Sequence, residues 1–261
     1  MRSNITIFAT PKHFVDHIGI IQYNAIKSWT LLKPRPEIIL FGYEKGVSEI
    51  ALELGVKHIT NVSRNELGTP LIQSIFYNAN LFAKNNILVY INSDIILLNG
   101  FVETVKKIDS YFSKYIIIGQ RWDIDIKTFI DFSDYFWEEK LRNYTLSTGN
   151  LHEPTGIDYF AFNKKNNLWI NFSEYAVGRI LWDNMSIYRA IQHKIPIINA
   201  TNSIFAIHQN HDYSHLRDKK DIERKGFESD KSIILSGGFK NAKTIDDSTY
   251  QIYNNSLIKR L

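Results

Sequence analysis

Ile87-Leu88-Val89-Tyr90-Ile91-Asn92-Ser93-Asp94-Ile95-Ile96-Leu97 is the stretch on which the fold reading turns. Asn86 to Ile91 reads as a strand apolar enough to be central in a sheet. A polar triplet follows, and then the apolar run resumes. A carboxylate at the carboxyl end of a central strand is costly unless something pairs with it. A divalent cation bridging two phosphates is such a partner, and hard oxygen ligands suit Mg²⁺ or Mn²⁺. Asp94 capping a turn, or a helix beginning near Asn99, is the alternative, and the pattern alone leaves both open.

Upstream, short β-branched runs alternate with amphipathic stretches. Asn4 to Ala9, Glu37 to Phe41 and Lys57 to Val62 read as strands. Phe14 to Leu32 reads as a helix with Ile18, Ile21, Ala25 and Trp29 on one face, broken by Pro34 and Pro36. Val47 to Leu54 is a short helix stopped by Gly55, and Thr69-Pro70 opens another that runs to about Lys84. Strand and helix therefore alternate up to Ile91, which predicts a parallel sheet with helices on both faces. Ligands of such sheets sit beyond the carboxyl ends of the strands. That singles out Thr10-Pro11-Lys12, Gly42-Tyr43, Asn61 to Gly68 and Asn92-Ser93-Asp94.

Downstream the pattern is less regular. Tyr115 to Gly119 and Gly156 to Phe162 read as strands, Phe129 to Arg142 and Val177 to His193 as helices, and Pro196 to His208 as one or two strands. Beyond His211 the chain is polar and charged, with Lys219-Lys220 and Arg224-Lys225 alternating with acids as on a solvated helix. There is no internal repeat. The expectation is one α/β domain over 1–261, with a 1–98 half for the donor, a 99–215 half for the acceptor and catalysis, and a 216–261 extension.

Composition bounds the rest. A hydrophobic fraction of 44% and an aromatic fraction of 13% suffice for a proper core, and the absence of cysteine excludes disulfides, thiolate metal sites and cysteine nucleophiles. The net charge of +4 is ordinary surface charge or a mild attraction for anionic ligands. No nucleic-acid module is recognisable, so no nucleic-acid partner is expected. No apolar run approaches the roughly 18 residues that span a bilayer. Met1 to Phe8 is too short and polar for a signal peptide, so no transmembrane segment and a cytoplasmic location are expected.

Asn92-Ser93-Asp94 resembles the Asp-x-Asp motif of GT-A glycosyltransferases, whose Rossmann-like, mostly parallel sheet flanked by helices binds a nucleotide-sugar. The helix-forming segment Asn65 to Phe76 resembles the family in position. Gly119-Gln120-Arg121-Trp122-Asp123, Gly156-Ile157-Asp158-Tyr159-Phe160 and His208 to His215 resemble a poorly characterised group within it. The resemblance implies a glycosyltransferase of the hexosyl or pentosyl class. Its donor would be a nucleoside-diphosphate sugar, UDP- or GDP-linked, its acceptor a glycan or other hydroxyl, and its cation Mn²⁺ or Mg²⁺. It places the nucleobase at Ala9 and Thr10, the metal on Asp94, and the nucleotide near Asn92 and Ser93. Asn92 stands where the family commonly has Asp. An amide still accepts a hydrogen bond from a ribose hydroxyl, but with one negative charge fewer metal affinity should fall.

Three further sets complete the expectation. His208, His211 and His215 have helical zinc-ligand spacing, yet their neighbours form helices poorly. A single His beside Asp94, as in many GT-A enzymes, is preferred, with His208 first and His211 next. Asp158 and Asp183 are the acids expected to serve the acceptor, Asp158 ahead, with Trp182 offered as a sugar-stacking face. Arg64 and Arg121, each just after an expected strand, suit diphosphate binding. The rivals are a sugar-nucleotide nucleotidyltransferase, though a Gly-rich basic loop after the first strand is missing, and a catalytically degenerate GT-A fold that only binds.

Overall fold

A computed structural model describes residues 3–211, 226–253 and 256–260. In chain order the elements are β1 (Ile5–Ala9), α1 (Asp16–Leu31), β2 (Glu37–Phe41), α2 (Val47–Leu54), β3 (Lys57–Ile59), α3 (Ile72–Phe82), β4 (Ile87–Ile91) and β5 (Ile95–Leu97). These are followed by α4 (Phe101–Tyr111), β6 (Ile116–Ile118), β7 (Arg121–Ile124), α5 (Trp137–Thr148), β8 (Asn150–Leu151), β9 (Tyr159–Asn163) and α6 (Trp182–Gln192). The last are β10 (Ile197–Asn199), β11 (Ala206–Gln209), α7 (Phe227–Ser236), β12 (Tyr250–Tyr253) and β13 (Ser256–Lys259).

Period-two alternation explains the central strands. Ile5, Ile7 and Ala9 of β1, with Ile87, Val89 and Ile91 of β4, feed one core, where α1, α2 and α4 pack. Phe8, Leu88 and Tyr90 point to the other, where α3 and α6 pack. Each fully buried Ile or Val contributes about 1.5–3 kcal/mol, so a run buried on both faces commits the chain to the middle of a sheet. The nine-stranded order is β13-β12-β10-β6-β9-β4-β1-β2-β3. β3, β2, β1 and β4 are mutually parallel, β9 runs antiparallel between β4 and β6, and β10 and β12 continue parallel to β6. This is the mostly parallel, helix-flanked α/β sheet expected for a GT-A-like chain.

A second, four-stranded sheet of order β5-β11-β7-β8 lies after the motif strand. Ile95-Ile96-Leu97 is thus a strand, entered through a turn at Ser93-Asp94 in which the Ile95 N–H donates to Asn92 O (3.2 Å). Arg121 follows β6, as expected, and itself opens β7.

Two boundaries differ from the expectation for local reasons. The helix expected from Phe129 begins at Trp137, because Asp131 and Asp134 accept from the backbone N–H groups of Ser133 (3.0 Å) and Phe136 (2.9 Å). Such Asx turns compete with helix. The helix expected from Val177 begins at Trp182, since Gly178 (φ +73°) and Leu181 (φ +75°) hold the chain in left-handed backbone. Gly55 ends α2 as expected, at φ +59°, where only glycine is unstrained. The tail gives β12 and β13 to the sheet edge, with Ile252 fully buried. His215 and the basic residues of 219–225 lie outside the described residues.

Candidate active site

β4 ends at Ile91 and releases Asn92-Ser93-Asp94 at its carboxyl end, beside the end of β1. The small sheet then turns this loop into a cluster. β11 pairs antiparallel with β5, so His208 sits opposite Ile95, and parallel with β7, so His208 is also level with Asp123. His211 follows two residues past β11, and its Nε2 lies 3.3 Å from Asp94 Oδ2. One ligand atom each from Asp94, His208 and His211 falls within 4.8 Å of the others.

The residues present fit a divalent cation. Asp94 Oδ1 is buried and, among the described residues, accepts no hydrogen bond, an arrangement a cation would satisfy. Burial would raise the Asp94 pKa, but the hydrogen bond to His211 and the charges of His208 and Lys12 overcome it and hold the carboxyl well below its usual range. His208 Nδ1 is 2.9 Å from Asp123 Oδ1, which directs the other ring nitrogen, Nε2, away from that carboxylate. Ligating histidines characteristically have such a carboxylate behind them. Asp123 is itself held by Arg121 Nε (2.8 Å) and His152 Nδ1 (2.7 Å).

α1 braces the loop from behind with polar residues that the apolar-face reading passed over. Gln209 Nε2 donates to Asp94 O (3.0 Å) and Ile21 O (2.8 Å), while its Oε1 accepts from Asn24 Nδ2 (3.0 Å). Both side chains are fully buried. Gln22 clasps the Lys12 backbone, accepting from its N–H (2.6 Å) and donating to its carbonyl (3.1 Å).

Lys12 is the residue that sequence reasoning underused. Burial lowers its pKa, which the charge of Asp94 opposes and that of Arg179 reinforces. Its ammonium has no ion-pair partner among the described residues. Its only sequence signal was its place after the first strand.

Several expected roles are corrected. Asn92 does not face the cluster: its Nδ2 donates to Asp158 Oδ1 (2.8 Å), and its Oδ1 accepts from Tyr90 OH (3.1 Å). Asp158 is 6% exposed, with Asn92 on one oxygen and Arg121 on the other. A carboxylate so engaged is a brace, not an open base. Arg121, between Asp158 and Asp123, and Arg64, which donates to Glu44 (2.7 Å) and Gly68 O (2.8 Å) and lies 3.9 Å over the Tyr43 ring, are both committed within the protein. Trp182 is 5% exposed among Phe76, Tyr90 and Phe160, so it is core and offers no sugar platform. Ala9 is the buried last residue of β1, and the Thr10 hydroxyl next to it is buried without a partner among the described residues. Ser93 Oγ is in the same state.

Asp183 differs from Asp158. It sits in the first turn of α6, where among the described residues no cationic side chain pairs with it and backbone N–H groups approach its carboxylate, that of Ile157 at 3.5 Å. Burial, reinforced by Asp158, pushes its pKa up to about 6 against the opposing backbone hydrogen bonds. Burial pushes the Tyr90 hydroxyl's pKa up, and the charges of Asp94, Asp158 and Asp183 add to that.

No protein-family profile and no curated protein matches this chain. Solved structures do. M. tuberculosis glucosyl-3-phosphoglycerate synthase matches with a TM-score of 0.49 at 13% identity, over 98% of this chain and 88% of that one. The same enzyme in complex with Mn²⁺, uridine diphosphate and phosphoglyceric acid matches with 0.49 at 13%, over 91% and 78%. S. aureus TarS 1–349 matches with 0.37 at 8%, over 48% of this chain, which spans only 37% of that structure. At such identities and scores the likeness assigns no activity to this chain. Among the described residues no helix is long and apolar enough to cross a membrane.

Proposed function

We propose that this protein is a glycosyltransferase that moves a sugar from a nucleoside-diphosphate sugar to a hydroxyl acceptor with the help of a divalent cation. The observation that carries the reading is the convergence of Asp94, His208 and His211 at the carboxyl ends of the central parallel strands. Asp94, His208 and His211 would hold the ion, and Asp123 fixes the His208 ring. Two imidazoles in three ligands favour Mn²⁺ over Mg²⁺, which prefers an all-oxygen shell. A bound cation supplies Lewis-acid neutralisation of the departing diphosphate.

The chain's own groups do the rest. Lys12, with no ion-pair partner among the described residues, offers its ammonium to the diphosphate as a point charge, and Gln22 fixes the backbone that carries it. A nucleobase would rest beside the carboxyl end of β1, near Ala9 and Thr10. Asp183, ionised above about pH 6, takes the proton of the attacking acceptor hydroxyl. Asn92, Asp158 and Arg121 keep the loop rigid, so the carboxylates need not reorganise as charge develops.

Calorimetric titration with UDP and GDP, with and without Mn²⁺, tests the reading. A nucleoside diphosphate should bind, more tightly with Mn²⁺. Lys12→Ala should weaken nucleotide binding about tenfold and leave Mn²⁺ binding alone unchanged. If neither nucleotide binds under either condition, the transferase reading is lost.

A further inference from the structure

We propose a second binding site, for a neutral sugar, in the cavity between α3 and the 164–174 segment. The cavity measures about 700 Å³, within the range of small-molecule sites. None of its lining residues belongs to the Asp94 cluster or the hydrogen bonds around it. The inference therefore stands apart from the transferase reading.

The chemistry of the walls selects the ligand. Gln73, Tyr77 and Asn80 stand at i, i+4 and i+7 on α3, so they share one helical face. Asn167 and Asn171 line the opposite wall. None of these four carboxamides makes a side-chain hydrogen bond to another described residue, and each offers both a donor and an acceptor. Tyr77, 65% exposed, presents a ring and an unpartnered hydroxyl. The aromatic floor is layered: the Tyr77 ring is its open face, and Trp169, 5% exposed, lies beneath, stacked on Phe76 at 4.3 Å with its indole N–H already given to Ser186.

Unpaired amides around an aromatic floor match a polyhydroxyl ring, whose hydroxyls both donate and accept and whose C–H face is apolar. An acyl chain would strip water from the amides and return no hydrogen bonds. A phosphorylated ligand would meet a single cation, Lys164, whose ammonium already donates to Ala83 O (2.8 Å), opposite the acid Glu174.

The test is saturation-transfer NMR with glucose, galactose, mannose and N-acetylglucosamine, and with decanoate as the apolar probe. At least one sugar should receive saturation from wild type and equally from Asp94→Ala. Gln73→Leu/Asn80→Leu should bind that sugar about tenfold more weakly. Tyr77→Ala, a change at an exposed position, gives the same readout if the double variant does not fold. Three results would each overturn the proposal. They are no transfer to any sugar, loss of transfer in Asp94→Ala, and stronger transfer to decanoate that the Leu substitutions leave intact or increase.

Discussion

Asp183 and Asp123 carry the sharpest single-residue consequences. Asp183 has a folded pKa of about 6 against an ordinary 3.8. A raised carboxyl favours the protonated, folded form, so its contribution is most favourable below the unfolded value and is lost as pH rises through 6. Asp183→Asn removes the burden of a charge held in a partly buried place. Full desolvation over this shift would be about 3 kcal/mol, and partial exposure reduces it to on the order of 1 kcal/mol. The variant should therefore melt about 2–4 °C above wild type at pH 7, with the gap closing as pH falls from 6 toward 3.8. Its transfer activity should fall by about two orders of magnitude, and the acid limb near pH 6 in the kcat/KM profile of wild type should vanish. A variant as active as wild type removes Asp183 from the chemistry. For Asp123, the expected outcome of Asp123→Ala is Mn²⁺ affinity reduced about 10–100-fold, read by paramagnetic resonance of the free ion. Asp123→Asn, which keeps an acceptor for His208, should recover part of it. Unchanged affinity would reduce Asp123 to a partner of Arg121 and His152 alone.

Elements place these residues. The small sheet sets Asp123 level with His208 and brings both to the end of β4, while Gln209 of β11, held by Asn24 of α1, holds the Asp94 loop. A buried amide that satisfies three partners is costly to remove. Gln209→Ala leaves the Asn24 amide and the Ile21 and Asp94 carbonyls without that partner, at about 2–3 kcal/mol. Urea unfolding should report this as a lower midpoint at unchanged slope, together with weaker Mn²⁺ binding. A loss of stability without a loss of metal affinity would mean that the brace is structural only. Little of this was legible beforehand. Hydrophobic periodicity displayed the Ile21, Ala25 and Trp29 face of α1, but a buried Asn or Gln has the same signature as a solvated one.

At the scale of the whole molecule, the cluster draws one ligand from the β4–β5 loop, one from β11 and one from just beyond it, and Asp123 stands behind them from β7. A cation binding only the folded chain should raise the melting temperature. At a hundredfold excess over its dissociation constant the gain is about 2.7 kcal/mol, so Mn²⁺ should shift the transition by several degrees, Mg²⁺ by less, and Asp94→Ala by nothing. Equal shifts from both ions, or a shift that survives Asp94→Ala, would contradict the assigned ligands.

The order of strands and helices through Ile91, the central rank of β4 and the exposure of Asp94 at its end followed from local pattern, because periodicity and turn chemistry act within a few residues. Which partners those side chains meet did not. Asn92 turned to Asp158, and Arg121 was drawn between two carboxylates. Asp158 became a brace, whereas Asp183 has no cationic partner among the described residues. Each outcome depends on strands far apart in the chain lying side by side in a particular register. A charge is settled by whatever tertiary packing puts within a few ångströms of it, and no local pattern encodes that neighbour.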